Sequence, residues 1–412
     1  MKRILWLFVF ILLLSSIVSC DIADDNGGGN GDIDPGISDG GESPGDGEDE
    51  TKEEIEENGL VYVLLDDGTY GVKSAEGELL TEVIIPSLFN GKAVTRILIY
   101  AFSNNYDLTS VIIPEGITCI ESSAFYGCSE LTEVTLPNSV TTLGDEAFYG
   151  CGKLSLFNFG SGIKRIGDGA FFSTSIINLE LPKGLEHIGK SSFYRCRSLT
   201  AVSLPESLES LGECAFADCS SLMEISIPSS IGSIENEAFS GCSKLKNINI
   251  ESGIVSIGDS AFWACNDLTS IIIPDSVSEI CYSAFANCSS LKEVKVGNGV
   301  RSIGSSAFDG CENLEILTLG NSVRSIGIRA FYGCVNLESV IIPNSVNEID
   351  RWAFYGCESL NNVHFENPYG WWYSSEADAT SGFDIPSGEI TDTSIAAAHL
   401  TSSYYSYYLK RA

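Results

Sequence analysis

Phenylalanine recurs at positions 102, 125, 148, 171, 193, 216, 239, 262, 285, 308, 331 and 354, every step being 23 residues except one of 22 between Phe171 and Phe193. Twelve copies of one short unit cannot be twelve independent domains, because 23 residues bury too little apolar surface to fold alone. Units of this length stack as the coils of a solenoid, each hiding its apolar side against the next. A chain of 412 residues built this way therefore holds one long core rather than several globular ones, despite its length.

The unit beginning at Ala124 shows how a coil is made. Ala124, Phe125, Cys128, Leu131, Val134, Leu136, Pro137, Val140, Leu143 and Gly144 are matched by similar residues in nearly every copy. Val134 and Leu136 are two apart, the period of a half-buried strand, and Pro137 ends that strand because it has no N–H to donate. One short strand per coil is expected. Gly144, with Gly167, Gly189, Gly212, Gly258, Gly304 and Gly327 in the same place, suits a corner needing positive φ; Glu235 and Asp350 stand there in other units. Parallel strands stacked about 4.8 Å apart make eleven steps span roughly 50 Å. The expectation is a β-rich, right-handed solenoid of about twelve 23-residue coils, residues 96–366, closed by a cap at each end.

The chain opens MKRILWLFVFILLLSSIVSC: Lys2 and Arg3, an apolar run from Ile4 to Leu14, then small residues before Cys20. This pattern reads as a secretory signal peptide over residues 1–19, its run being short for a membrane span. Ile17-Val18-Ser19-Cys20 is similar to a bacterial lipobox, in which the cysteine is acylated and becomes the new N-terminus. Residues 21–58 hold fifteen Asp and Glu against one Lys and almost no large apolar residue. Such a stretch cannot form a core and reads, from residue 20 to 58, as an extended, self-repelling tether. Its net −14, with +2 from Lys2 and Arg3, leaves −21 of the chain's −33 for residues 59–412. Binding of nucleic acid or sulfated polysaccharide by bulk charge is disfavoured accordingly.

Ten cysteines sit three residues after the repeat phenylalanine, from Cys128 to Cys357, and Asn105 and Thr174 fill that slot in the other two units. A slot that accepts Cys, Asn or Thr wants a small side chain that packs and hydrogen-bonds. Metal sites want CxxC-type pairs with histidine nearby, and no metal or cofactor site is expected here. Cys119, Cys214 and Cys281 lie outside the slot, with Cys128, Cys219 and Cys288 as candidate partners in an oxidising compartment; thirteen thiols besides Cys20 cannot all pair.

Residues 59–95 are expected to cap the first coil, with a hairpin around Asp66-Asp67-Gly68. Residues 367–412 are expected to cap the last, with Trp371, Trp372 and Tyr373 covering apolar surface and a short helix through Ile395 to Leu400 N-capped by Asp392 or Thr393. His187, His364 and His399 fall in three separate places, and no phosphate loop, nucleophile elbow or paired metal-ligand motif is present. No enzyme is expected.

The unit Ala-Phe-x-x-Cys-x-x-Leu-x-x-Val-x-[Leu/Ile]-Pro-x-x-Val-x-x-[Ile/Leu]-Gly resembles the leucine-rich repeat of BspA-type bacterial surface proteins over residues 83–365. The flanks Thr81–Thr95 and Asn367–Tyr408 are similar to ends seen in that family. The resemblance implies a solenoid anchored by lipid at the bacterial cell surface or outer membrane, or secreted, and used to adhere to host matrix or other cell-surface proteins. It carries no catalytic residues. A carbohydrate-binding lipoprotein, using the tail aromatics or Tyr126, Tyr149, Tyr194 and Trp263, is the alternative; the gaps at Ala217, Ser240, Ala286 and Asp309 speak against a continuous sugar track. In either case, strand alternation turns one stripe outward: Ile112, Thr135, Asn158, Glu180, Ser203, Ser226, Asn249, Ile272, Lys295, Thr318, Ile341 and His364. This stripe varies between units while the inward columns do not, and its exposed isoleucines mark it as the candidate ligand face.

Overall fold

The computed structural model describes residues 53–411 other than 378, 380, 404 and 405, so the leader, Cys20 and most of the acidic tether lie outside the described residues. The array is a β-solenoid whose inward columns form one continuous core from the N-terminal cap to the C-terminal one. Phe125 and its repeats are fully buried and stack ring on ring, with centroids 5.0–5.7 Å apart along the column.

What brings the rings into line is a turn block of six residues, Ser123 to Cys128 in one coil. Its first and fifth residues are left-handed, Ser123 at φ 54° and Gly127 at φ 71°, and the same pair recurs from Tyr100 and Asn104 to Trp352 and Gly356. The alternation of backbone directions that results sends N–H groups two ways. Those of Ser123, Phe125 and Gly127 donate to the carbonyls of Asp145, Ala147 and Tyr149 in the next coil, at 2.8, 2.8 and 2.7 Å. Those of Ala124, Tyr126 and Cys128 close turns within their own coil. Each coil is thus bonded to the next before any side chain packs.

The long strand of each coil follows, Glu133–Thr135 in this unit, in parallel register with Leu156–Asn158. A long strand also precedes the first repeat phenylalanine: Glu82–Ile84 pairs in parallel with Ser110–Ile112, making about thirteen turns where twelve were expected. From Cys119–Ile120 to Glu348–Ile349 each coil holds a second, two-residue strand as well, where one strand was expected. Thr142–Leu143 lies between Cys119–Ile120 and Arg165–Ile166. Two residues are too few for a period to show in sequence, and inter-coil bonds alone define the element.

The corner glycines serve a purpose other than the one the sequence suggested. None of Gly144, Gly167, Gly189 or Gly212 is left-handed; the left-handed positions are those of the turn block. A Cβ on Gly144 would stand 2.4 Å from the Ser122 nitrogen and 2.6 Å from the Glu121 carbonyl carbon, and one on Gly212 would stand 2.5 Å from the Lys190 nitrogen. At these corners glycine leaves room for the backbone of the coil before, which lies where a side chain would start; Glu121, Glu235, Cys281 and Asp350 take the same place in other coils.

Both ends are covered by strands that interrupt the pattern. Glu54–Glu57, within the stretch assigned to the tether, pairs antiparallel with Leu60–Leu64, which pairs antiparallel with Tyr70–Ser74 across the expected hairpin. At the other end Tyr408–Arg411 runs antiparallel to both Glu348–Ile349 and Trp371–Ser374. Trp371 is buried edge-on against Phe365 at 5.1 Å. The Asp392 carboxylate accepts from the Ser394 and Ile395 N–H groups and caps the helix Thr393–Ala398, whose Ala396 and Ala397 are buried.

If backbone crowding sets the corner, Gly212→Ala should lower stability by about 1–3 kcal/mol through forced separation of two coils. Gly152, which has nothing within 4 Å of a built Cβ, is the control. Urea midpoints are the measurement, and equal losses in Gly152→Ala and Gly212→Ala would contradict the steric explanation.

Candidate ligand-binding face

Each long strand alternates one way. Val134 is buried between exposed Glu133 and Thr135, and the pattern repeats in register up the sheet. All of the residues from Ile112 to His364 expected to point outward are exposed. Neighbours on the stripe touch only lightly: the Asn158 side-chain amide donates to Thr135 Oγ1 at 3.1 Å, and that of Asn249 to Ser226 Oγ at 2.9 Å. Ile112, Ile272 and Ile341 are 59%, 67% and 56% exposed, high for β-branched side chains. Sequence reasoning missed Ile84, exposed to a similar degree one coil earlier and in register with Ile112. The first strand position faces outward as well, with Leu156 and Ile316 exposed; carrying the repeat register one unit back would have found Ile84.

Charge on this face is unevenly placed. From Glu82 to Ser226 its outward strand residues include Glu82, Glu133, Glu180 and Glu224 and no Lys or Arg. Beyond that the signs mix, with Lys295 on the stripe and Lys292 paired to Glu315 at 3.6 Å beside it. The first half of the face is thus anionic with apolar points; the second is nearer neutral.

The cysteine column is inside. Every one of the ten slot thiols donates its S–H to the carbonyl of the repeat phenylalanine in the coil before, Cys128 to Phe102 and Cys242 to Phe216 among them, at 3.1–3.4 Å. Asn105 makes the equivalent bond with its amide, to the Leu80 carbonyl at 2.8 Å. Burial pushes the thiols of Cys151, Cys196, Cys219, Cys242, Cys265, Cys311 and Cys334 up, Cys196 to about 11, which disfavours the thiolate that a metal would need. Cys119 and Cys281 are unbridged thiols, and the Cys214 thiol donates to Glu237 Oε2 at 3.9 Å. Among the described residues no three His, Cys, Asp or Glu side chains gather closely enough to hold a metal ion.

The aromatic residues after the repeat phenylalanines also satisfy one another. Tyr126, Tyr149, Phe172 and Tyr194 form a stack with centroids 4.4–5.0 Å apart. The Arg195 guanidinium lies over Tyr194 at 5.0 Å, and that of Arg329 over Tyr332 at 4.0 Å. Tyr126, Tyr149, Tyr194 and Tyr332 each turn a ring face to a neighbouring ring or guanidinium group rather than leaving it for a sugar. The histidines remain apart: His187 Nδ1 bonds Ser210 Oγ at 2.9 Å, His364 is exposed on its strand, and His399 Nε2 lies 3.0 Å from Glu389 in the cap. Burial, opposed by Glu389, holds the His399 imidazole below its ordinary value.

Comparison with known proteins agrees with this architecture. The family described as BspA type leucine rich repeat region matches in six copies, over residues 95–222, 164–292 and 279–371. A leucine-rich repeat protein of Bacteroides ovatus is 31% identical, with a TM-score of 0.58, over 76% of this chain and 86% of its own. A leucine rich cell surface protein of Faecalibacterium prausnitzii is 26% identical over 77% of this chain and 96% of its own, with a TM-score of 0.44. The pneumococcal vaccine antigen PcpA is 22% identical over 77% and 83%, with a TM-score of 0.50. No curated protein sequence matches. The matched repeats run unbroken from residue 95 to residue 371 and coincide with the stacked coils, and the chain belongs to the BspA-type leucine-rich-repeat family.

Proposed function

We propose that this protein is a non-enzymatic adhesion module, held at the bacterial cell surface by lipid on Cys20, that binds proteins of the host matrix or of neighbouring cells through its long-strand face. The observation that carries this reading is the stripe from Ile84 to His364: a continuous, regular surface whose side chains are all exposed and free to vary, with β-branched apolar residues that no neighbour covers. The unpaired carboxylates of its first half favour a partner offering basic and apolar side chains together. Protein is preferred to carbohydrate because the aromatic stack is occupied with itself. Display at the surface is supported by the leader, the lipobox-like Ile17–Cys20 and the acidic tether.

Two experiments test the two parts. With the mature chain on a matrix-protein panel beside a glycan array, replacing Ser226, Asn249 and Ile272 together with Lys is expected to abolish protein binding while leaving circular dichroism and melting nearly unchanged. Undiminished binding by that folded variant would place the ligand elsewhere. For the anchor, Cys20→Ala is expected to move the protein from the membrane fraction to the soluble one, and a wild-type mass without acyl groups would overturn the lipid assignment.

A further inference from the structure

Along the short strands, two N–H groups per coil reach back to the coil before: that of the residue ahead of the strand and that of the corner. Glu209 donates to the Glu186 carbonyl at 2.8 Å and Gly212 to Ile188 at 2.9 Å; later, Val255 donates to Gly232 at 2.7 Å and Gly258 to Ile234 at 2.8 Å. From Thr118 to Asp350 both series continue without a gap except at one coil. Gly232 should donate to Glu209, and Glu235 to Leu211; among the described residues neither bond exists. The Gly232 N–H turns instead to the Ser229 carbonyl at 3.3 Å, closing a 3-10 turn over Ser229–Ile231 with Gly232 left-handed at φ 70°.

The interruption extends across the coil. One short-strand sheet ends at Ser210–Leu211 and another begins at Ser233–Ile234, and the long strands Ala201–Ser203 and Glu224–Ile227 do not pair with each other. This is the one step, among the described residues, at which both sheets stop together. On the long-strand side a single bond remains, Met223 N to the Thr200 carbonyl at 3.3 Å. The turn blocks at either end of the gap are intact: Ser191 and Phe193 donate to Glu213 and Ala215, and Cys214 and Phe216 to Asn236 and Ala238, at 2.8–3.0 Å. The Phe216–Phe239 separation of 5.7 Å is the longest along the ring column from Phe102 to Phe354.

We propose that the solenoid is two stiff stacks joined by a hinge at this step, with the turn-block edge as its axis. Opening the gap breaks one backbone bond, where opening at a fully paired step breaks bonds in both sheets, so bending concentrates here. Glycine is the cause: Thr118, Thr141, Lys164 and Val255 hold the same place in other coils and disfavour the left-handed backbone that turns the N–H away. Ser203 and Ser226 of the ligand face stand on opposite sides of the gap, so bending changes the curvature of that face and lets one stretch of it adapt to partners of different shape.

Spin-label distances test the hinge. In the full-length chain, with the half-buried Cys119 and Cys281 replaced by Ser, labels at Glu209→Cys and Arg301→Cys span four coil steps including the gap. Labels at Val255→Cys and Asn347→Cys span four steps without it, both pairs being about 19 Å apart along the stack. The first pair is expected to show a distance distribution about twofold broader, and Gly232→Thr is expected to narrow it to the width of the second pair, whose own width in that variant checks that the fold survives. Equal widths in the parent chain would overturn the hinge, as would a broad distribution that Gly232→Thr leaves unchanged.

Discussion

The turn-block hydrogen bond from one coil to the next is the constraint on which the rest of this molecule depends. Two left-handed residues per coil direct three N–H groups along the stack, and the carbonyls of the next coil lie where those groups point. Spacing is then fixed near 5 Å at one edge of every coil. Ring stacking, the thiol-to-carbonyl bonds and the inward aliphatic columns follow from that spacing, since like residues meet like residues at a distance their own packing favours. Non-glycine residues fill most of the first left-handed positions, Tyr100, Glu146 and Trp352 among them. Each costs roughly 1 kcal/mol or more of backbone strain, which the bonds to both neighbouring coils hold in place.

Whatever depends on burial was legible in the sequence, and whatever depends on backbone meeting backbone was not. The phenylalanine, leucine and valine columns, the packed cysteine slot, the hairpin about Gly68, the Asp392 cap and the outward stripe all followed from residue type and period. The short strands escaped because Thr142–Leu143 is bonded only to other coils and has no pattern of its own. The corner glycines were visible, but their reason was not: sequence cannot separate a glycine needed for its φ from one needed because Ser122 lies 2.4 Å from where a Cβ would be. Gly232 is harder still, being a single departure at a variable position whose effect is two missing bonds. The extra coil at Glu82–Ile84 was obscured because no repeat phenylalanine precedes it.

The same geometry shapes what the protein does. Stacking places equivalent positions side by side, so a column repeats one kind of chemistry along its length, while a catalytic constellation needs unlike groups brought to one point. What a stack offers readily is a long surface whose side chains are fixed in spacing and free in identity. The face from Ile84 to His364 is such a surface, and the break at Gly232 divides it near the place where its charge changes from anionic to mixed.

Hydrogen exchange at single residues tests the central claim most directly. If the turn blocks are the spine, the N–H groups of Phe125, Phe148, Phe216 and Phe285 should be the slowest to exchange in the array. They should be slower than Thr141 or Arg301 beside the short strands, with Phe216 as protected as the others although it adjoins the gap. Exchange at Phe216 as fast as at Glu235, or phenylalanine N–H groups less protected than those beside the short strands, would show that the sheets hold the coils together and would contradict the account.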